Sequence, residues 1–274
     1  MRYTALTIKN QNIELGQPYS VKINKSKDAP ADDIIVVFPI DKVIDELKSI
    51  SVYSGENLFF YGVIDEQNVK YTSSGVFLTI IARSMAAFLL DNEALPQTYY
   101  LPSLKTIFEK HIKMYGFKGY IGESKSFSSE FVVSKGMSEW DVLENFCFNY
   151  LKVSPRITND GYIDATGKNV GKEINFSNVG QGIKYSSISE NKKRYKRLSQ
   201  VFVRATKNGS YSINVSDYEA INNGIKRKRY LNYSNNKTTP IESGEIMLAQ
   251  AKKDSYEFIL EVPGNININI IDRK

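Results

Sequence analysis

Short strands separated by turn residues dominate the first eighty residues, and this spacing constrains the fold more than any other feature of the sequence. Tyr3, Ala5 and Thr7 alternate with polar neighbours, which is the period of a strand with one buried face. The apolar, β-branched run 34–38 is typical of a buried strand. Further strand patterns follow the turn sequence 54–57, at 58–64, 69–71 and 75–82. Many short strands of this kind predict a β-barrel or a β-sandwich.

The pattern changes to a helical period between about residues 85 and 151. Spacings of three and four place six residues on one helical face: Leu104, Ile107, Phe108, His111, Ile112 and Tyr115. Ser103 is suited to begin this helix and Gly116 to end it. A second stripe comprises Trp140, Leu143, Cys147 and Tyr150, and Ser138 and Asp141 before it have the spacing of a capping box. We therefore predict a helical insert over residues 85–151.

Strand patterns return after residue 152. Residues 153–157 and 198–206 have strand character, and Thr239 with Glu242 forms a capping box ahead of a helix near residues 240–253. The predicted fold class is α+β, mainly β. The predicted division is a first β-barrel domain over 1–84, the helical insert over 85–151, and a second β region with one helix over 152–274.

The residue types leave few routes to catalysis or metal binding. The 274 residues include one cysteine, Cys147, and one histidine, His111. This count excludes an intrachain disulfide and leaves no ligand set for a Cys-rich or His-rich metal site. The sequence also lacks a phosphate-binding glycine loop and the spacing of a calcium loop. We therefore predict no catalytic residue, no metal site and no cofactor.

The residues that could act in catalysis, which are His111, Cys147 and two carboxylate pairs, are each better explained by a structural role. His111 lies on an apolar helical stripe, and the only acid near it in sequence, Glu109, points away from that stripe. Cys147 lies on the apolar stripe of the second helix without a basic neighbour, so we interpret it as a core residue. The carboxylate pairs at 32–33 and 65–66 lie in a turn and at a strand end, where neighbouring side chains point to opposite faces. We interpret both pairs as turn-capping and solvated groups.

Targeting signals are not apparent in the sequence. The first residues alternate at once, without the apolar core of about 7–15 residues that a signal peptide needs. No apolar run approaches the roughly 18–20 residues that cross a bilayer. We expect a chain made in the cytoplasm that does not insert into a membrane.

Two basic runs, Lys192–Arg197 and Lys226–Tyr230, leave a choice of partner open. Basic residues interleaved with tyrosines can neutralise and stack on nucleic acid. The net charge of +6 is modest, however, and lysine-rich strand edges also discourage stray pairing. Contacts with an acidic protein are the alternative explanation of the same residues.

Several strings resemble the baseplate hub proteins of contractile phage tails and phage-tail-like bacteriocins, a group also called late control or tail hub proteins. The resemblance runs from Ala29 to Asp164, about half of the chain. The strings that carry it are residues 29–32, 50–53, 61–66, 82–94 (Ala-Arg-Ser-Met-Ala-Ala-Phe-Leu-Leu-Asp-Asn-Glu-Ala), 96–99, 135–143 (Lys-Gly-Met-Ser-Glu-Trp-Asp-Val-Leu), 155–156 and 160–162. They occur in the expected order, and one includes the rare Trp140.

The resemblance implies a structural role without turnover. Hubs of this type carry two tube-like β-barrels, so that a homotrimer presents six barrels and joins a hexameric tail tube to a trimeric central spike. The implied partners are therefore further copies of this chain, the tail tube protein, the central spike protein, other baseplate proteins and DNA that passes through the lumen. The implied location is the virion tail or a tail-like particle, after assembly in the bacterial cytoplasm.

Two alternatives stand beside the hub hypothesis: a tail-associated peptidoglycan hydrolase, and a single-strand nucleic-acid-binding protein that uses the basic and aromatic runs. The alternating segment Asn265–Ile270 is a further prediction, because it has the pattern of a strand that could join a neighbouring sheet edge.

Overall fold

The computed structural model describes residues 1–25, 30–167, 174–206, 208–233 and 239–263. The chain divides into two compact units, Met1–Gly171 and Lys172–Lys274. Strands outnumber helices in the described part, so the predicted α+β, mainly β class is confirmed. Ala29 and the segment 265–270, which carried sequence predictions, lie outside the described residues.

The first unit begins with a sheet of seven strands, and each neighbouring pair is antiparallel. The order across the sheet is β2-β1-β5-β6-β7-β4-β3. The strands are β1 Arg2–Thr7, β2 Asn12–Glu14, β3 Ser20–Asn24, β4 Asp33–Ile40, β5 Leu47–Ser54, β6 Asn57–Thr72 and β7 Gly75–Ser84.

This sheet curls around its own core. The rings of Tyr3 on β1 and Phe38 on β4 lie 5.5 Å apart between centroids, although three strands separate β1 from β4 in the sheet order. Four interstrand spacings of about 4.8 Å would hold these strands roughly 19 Å apart in a flat sheet. The long strand β6 permits the bend because it pairs with β5 over 57–63 and with β7 over 62–72, with a bulge between Ile64 and Glu66.

The curl explains one difference from the sequence prediction. Ile34, Val36 and Phe38 are buried in β4, whereas Ile35 between them is 37% exposed. The predicted buried strand is therefore confirmed for the inner face only. Because the core of the curled sheet lies on one side of β4, only one face of this apolar strand is buried.

The rest of the first unit combines short helices and strands. The helices are α1 Ala86–Asp91, α2 Leu104–Ile107 and α3 Glu139–Phe146. Helix α2 continues as a π-helical turn, Phe108–Ile112, and a 3-10 turn, Lys113–Tyr115, and α3 continues as the π-helical turn Cys147–Leu151. The strands are β8 Gln97–Tyr99, β9 Gly119–Ile121, β10 Phe131–Val133, β11 Arg156–Ile157 and β12 Tyr162–Asp164.

The predicted helix ends are confirmed at the atomic level. The Ser103 hydroxyl accepts the backbone N–H of Thr106 at the start of α2, and Gly116 ends the helical segment with a φ of 86°. Ser138 and Asp141 form a reciprocal capping box at the start of α3.

Strands β11 and β12 join this helical part of the first unit. Strand β12 pairs in parallel with β9, so that Ile163 lies beside Tyr120, and β11 pairs antiparallel with β12. The side chain of Ile163 is fully buried in the same core as Trp140 and Phe146. The predicted division of the chain into three parts stays a prediction. The pairing of β11 and β12 with β9 associates residues 156–164 with the helical part.

In its described residues, the second unit contains two small sheets and two helices. Its elements are β13 Ser187–Lys192, β14 Gln200–Arg204, β15 Ile213–Ser216, α4 Tyr218–Asn222, β16 Lys228–Asn232, α5 Pro240–Asp254 and β17 Tyr256–Glu261. Strands β13 and β17 form a two-stranded ribbon, and the second sheet has the order β15-β14-β16. The predicted helix near 240–253 is confirmed as α5, with the Thr239–Glu242 capping box in place.

Helix α5 packs on one face of the β15-β14-β16 sheet. Val201 and Val203 of β14 form a core with Leu248 and Ala251 of the helix. Gly244 permits this approach, because a Cβ atom there would lie 2.7 Å from Val215 Cγ2. The opposite face of the sheet carries the side chains that alternate with these buried valines.

Candidate functional site

His111 belongs to a buried polar network. Its Nδ1 lies 2.6 Å from Glu139 Oε2, and its Nε2 lies 2.8 Å from the Tyr99 hydroxyl. The Tyr115 hydroxyl donates to Glu139 Oε1 at 3.4 Å. The network connects the α2 segment, the first residue of α3 and strand β8.

The surroundings of the network favour a structural role. His111 is 1% exposed and both ring nitrogens have partners, so the imidazole has no open side towards a substrate. Burial, with the nearby Glu139 carboxylate, raises the pKa of Tyr99 to about 12. The phenol therefore keeps its proton at neutral pH. The acid partner is Glu139, 28 residues away in sequence, whereas Glu109 pairs with Lys113 on the surface.

Cys147 lies in the interior, as its sequence position predicts. Its side chain is fully buried at the end of α3. Burial, with a contribution from Glu144, raises the pKa of the thiol to about 12. A thiolate nucleophile is therefore strongly disfavoured at this position.

Asp33 and Asp65, one carboxylate of each pair noted in the sequence, have partners within the first unit. Asp33 accepts the amide of Asn24 at 2.7 Å. Asp65 accepts two hydrogen bonds from Arg83, at 2.6 and 2.9 Å. The same guanidinium contacts Asp91 of α1 and lowers the pKa of that carboxyl group. Arg83 therefore connects the curled sheet to α1, and Asp65 is committed to that contact.

The ranges that the structure describes contain neither a cluster of potential metal ligands nor a membrane-spanning helix. No three His, Cys, Asp or Glu side chains in these ranges lie together as potential metal ligands. No helix among them is long and apolar enough to cross a bilayer.

Ion pairs neutralise much of the first basic run. Lys192 contacts Glu190 at 2.8 Å, Lys193 contacts Glu257 at 2.5 Å, and Arg197 contacts both Asp217 and Glu219. These contacts tie β13, β17 and the start of α4 together. The first run is therefore mainly a structural feature of the second unit.

The second basic run, Lys226–Tyr230, differs from the first in its ion pairing. Lys226, Arg227, Lys228 and Arg229 are all exposed, and within the described ranges none of them forms an ion pair. The run leads into β16, an end strand of its sheet. Lys228 and Tyr230 lie on the face of this sheet that is opposite α5, in register with Gln200 and Phe202 of β14.

We call this surface the aromatic face and define it by Phe202, Arg204, Tyr211, Lys228 and Tyr230. The rings of Phe202 and Tyr230 are stacked, with centroids 5.6 Å apart and planes 28° apart. Tyr211 meets Tyr230 edge-on at 5.1 Å. The Arg204 guanidinium lies 5.3 Å from the centroid of Tyr211, and the Lys228 ammonium lies 5.9 Å from that of Tyr230.

A second exposed surface lies on the β13–β17 ribbon. Ile188, Phe258 and Tyr256 share one face, because the register pairs Ile188 with Leu260, Glu190 with Phe258 and Lys192 with Tyr256. Ile188 is 55% exposed and Phe258 is 46% exposed. We call these three residues the ribbon stripe. An exposed apolar stripe on a two-stranded ribbon is typical of an interaction surface.

The fold matches those of solved tail proteins across almost the whole chain. A 43 kDa tail protein of prophage MuSo2 from Shewanella oneidensis has a TM-score of 0.76 at 14% identity, covering 99% of this chain and 86% of its own. A tail protein from Neisseria meningitidis has a TM-score of 0.72 at 15% identity, covering 96% and 81%. A prophage tail protein from Listeria monocytogenes has a TM-score of 0.53 at 13% identity, covering 94% and 79%.

The chain has the fold of a phage tail protein. No family model matches its sequence, and no curated protein matches it significantly. The similarity is therefore one of structure, at identities of 13–15%.

Neither exposed surface was identified as a whole from the sequence. The second basic run predicted Lys228 and Tyr230, but Phe202 comes from β14 and Tyr211 from the loop before β15, and neither lies in a basic run. The ribbon stripe combines residues about 70 positions apart, so only the β13–β17 pairing identifies it. An apolar residue at every second position of 256–260 was the one available signal.

Proposed function

We propose that the protein is a structural component of a phage-type contractile tail and, within it, the baseplate hub that joins the tail tube to the central spike. One observation carries this proposal: the folds of two solved tail proteins match this chain over 96% and 99% of its length. The strings around Arg83 and Trp140 that resemble hub proteins support the narrower assignment.

The proposed hub has two tube-like barrel regions in each chain. The curled seven-stranded sheet supports the first, since β1 and β4 meet across its interior. The strands of the second unit, with α5 packed on one sheet, support the second. A homotrimer of such chains would present six similar regions to a hexameric tube and keep threefold symmetry towards a spike.

The proposed protein acts by assembly, without turnover. Its proposed partners are two further copies of the chain, the tail tube protein, the central spike protein and other baseplate proteins, with DNA passing through the lumen. The hydrolase alternative loses its candidate groups, because Asp65 is held by Arg83 and His111 is buried. The proposed location is the tail of a virion or a tail-like particle.

We further propose that the ribbon stripe contributes to the contact between copies. A two-stranded ribbon is marginally stable by itself, and this one exposes Ile188 and Phe258 on the same face. Covering those side chains would remove apolar area from water, which contributes roughly 25 cal/mol per Å².

Light scattering after size exclusion tests this assembly. A trimer would have three times the chain mass of 31.1 kDa, about 93 kDa. We expect the double substitution Ile188→Lys and Phe258→Lys to shift the mass towards the monomer. The matched control is Ile259→Lys, which places the same charge on the other face of the ribbon at a residue that is 48% exposed.

Two results would count against the proposal. A trimer that tolerates the double substitution would exclude the ribbon stripe as the contact. A chain that stays monomeric up to high concentration, and also when mixed with its tube and spike proteins, would exclude the hub.

A further inference from the structure

The aromatic face has the composition of a surface for single-stranded nucleic acid. We propose that it binds an unpaired strand, with bases stacked on the Tyr230–Phe202 ring pair and phosphates held by Lys228 and the cations that precede it in the second basic run. This binding site goes beyond the assembly role, and its test does not depend on that role.

The rings are arranged to receive bases. Phe202 and Tyr230 occupy paired positions on β14 and β16, so their rings are stacked on one another on one sheet face. Tyr230 is 55% exposed, and Tyr211 supports it edge-on. Stacking of a base on an exposed aromatic ring contributes roughly 1–3 kcal/mol and tolerates any base.

The sheet itself keeps this face fixed. Val201 and Val203, which flank Phe202 in β14, are fully buried against α5. The Tyr211 hydroxyl donates to Asn232 Oδ1 at 2.5 Å, which ties the loop before β15 to the end of β16. The rings therefore do not need to be ordered on binding, which limits the entropic cost.

Charge separates this face from the rest of the second unit. Lys193 and Arg197 of the first basic run are occupied by carboxylates. Lys228 lies on this face and Lys226 and Arg227 precede it, whereas Arg229 is in register with Val201 and belongs to the other face. All four side chains are exposed, and in the part of the chain that the structure describes they have no acidic partner. Phosphates of a bound strand would complement them and release counterions.

The rings indicate nucleic acid in preference to an acidic protein, and a single strand in preference to a duplex. Carboxylates of an acidic protein would use the cations but would leave the paired rings without a function. In a duplex the bases stack on one another, so their faces are unavailable to Tyr230. An unpaired strand uses both features at once.

Fluorescence anisotropy with a labelled 12-nucleotide oligothymidylate tests the proposal, using the full chain over a series of salt concentrations. We expect Tyr230→Ala to weaken binding by about 5- to 150-fold, the equivalent of one lost stacking contact. We expect Lys228→Ala to weaken binding and to reduce the slope of log K against log salt by about 0.7.

Each variant has a matched control in the second unit. Tyr218→Ala removes another exposed tyrosine, on α4, which lies outside the aromatic face. Lys192→Ala removes a cation that is already paired with Glu190. Both controls should bind as the unchanged protein does, and circular dichroism should show the same fold for all four variants.

Several results would overturn the proposal. They are no anisotropy change at 50 mM salt, equal affinity for the duplex of the same length, or equal losses in Tyr230→Ala and Tyr218→Ala. Tight binding of polyglutamate that Tyr230→Ala leaves unchanged would assign the surface to an acidic protein instead. If Tyr230→Ala does not fold, Lys228→Ala and its salt slope decide the question.

Discussion

The substitution His111→Leu should destabilise the first unit strongly, because it removes one partner of a buried pair. Glu139 would keep only the hydrogen bond from Tyr115, at 3.4 Å, in a site where its side chain is 7% exposed. Leaving a buried charge without its partner typically costs about 3–5 kcal/mol. For a unit of this size, that loss corresponds to a decrease in melting temperature of roughly 6–20 °C.

Urea denaturation followed by tryptophan fluorescence measures this effect. Trp140 is the only tryptophan of the chain and is adjacent to Glu139 in α3, so its emission reports on the first unit. The double variant His111→Leu/Glu139→Leu removes the unpaired carboxylate as well. We expect it to recover much of the lost stability, since apolar groups often replace a buried pair at little cost.

The control for this experiment lies on the same helical segment. Lys113 pairs with Glu109 at 2.7 Å on the surface, so Lys113→Leu should change the free energy of unfolding by no more than about 0.5 kcal/mol. A loss below about 1 kcal/mol in His111→Leu, set against the range expected for a buried pair, would refute the reasoning. A double variant less stable than His111→Leu would also refute it.

Three further predictions concern two other buried positions, Cys147 and Gly244. The pKa of Cys147 is raised to about 12, so the native thiol should react with a thiol reagent at pH 8 only as fast as the protein unfolds. The folded state then holds this proton more tightly than the unfolded state, so stability should fall as pH rises from about 9 towards 12. Gly244→Ala should destabilise α5 by about 1–3 kcal/mol, because its Cβ would meet Val215 at 2.7 Å. Thermal unfolding followed by circular dichroism measures this loss, and Glu245→Ala at an exposed position of α5 is the control. A gain in stability for Gly244→Ala would show that helix propensity outweighs the clash and would contradict the prediction.

Local patterns predicted the elements that local chemistry controls. The capping boxes at Ser138 and Thr239 and the glycine stop at Gly116 rest on hydrogen bonds and backbone angles within a few residues, and each is present. The one-turn helix α4 was not predicted. Its five residues are too few to display a helical period.

Long-range pairing had no comparable local signal. The parallel pairing of β12 with β9, the ribbon of β13 and β17, and the contact of Tyr3 with Phe38 join segments that are far apart in the sequence. A single sequence shows which face of a strand is apolar but not which strand lies beside it. The curl of the first sheet therefore became apparent only in the structure.

The sequence by itself determined the mainly β class, the helical segments and their ends, and the scarcity of groups for catalysis or metal binding. These properties depend on residue type and short spacing. Tertiary structure decided that Glu139 is the partner of His111 and that Phe202 and Tyr211 lie beside Tyr230. It also decided that carboxylates neutralise much of the first basic run, whereas among the described residues none pairs with the second. The physical reason is that hydrogen bonds, ion pairs and ring contacts act over a few ångströms, and only the folded chain brings these residues within that distance.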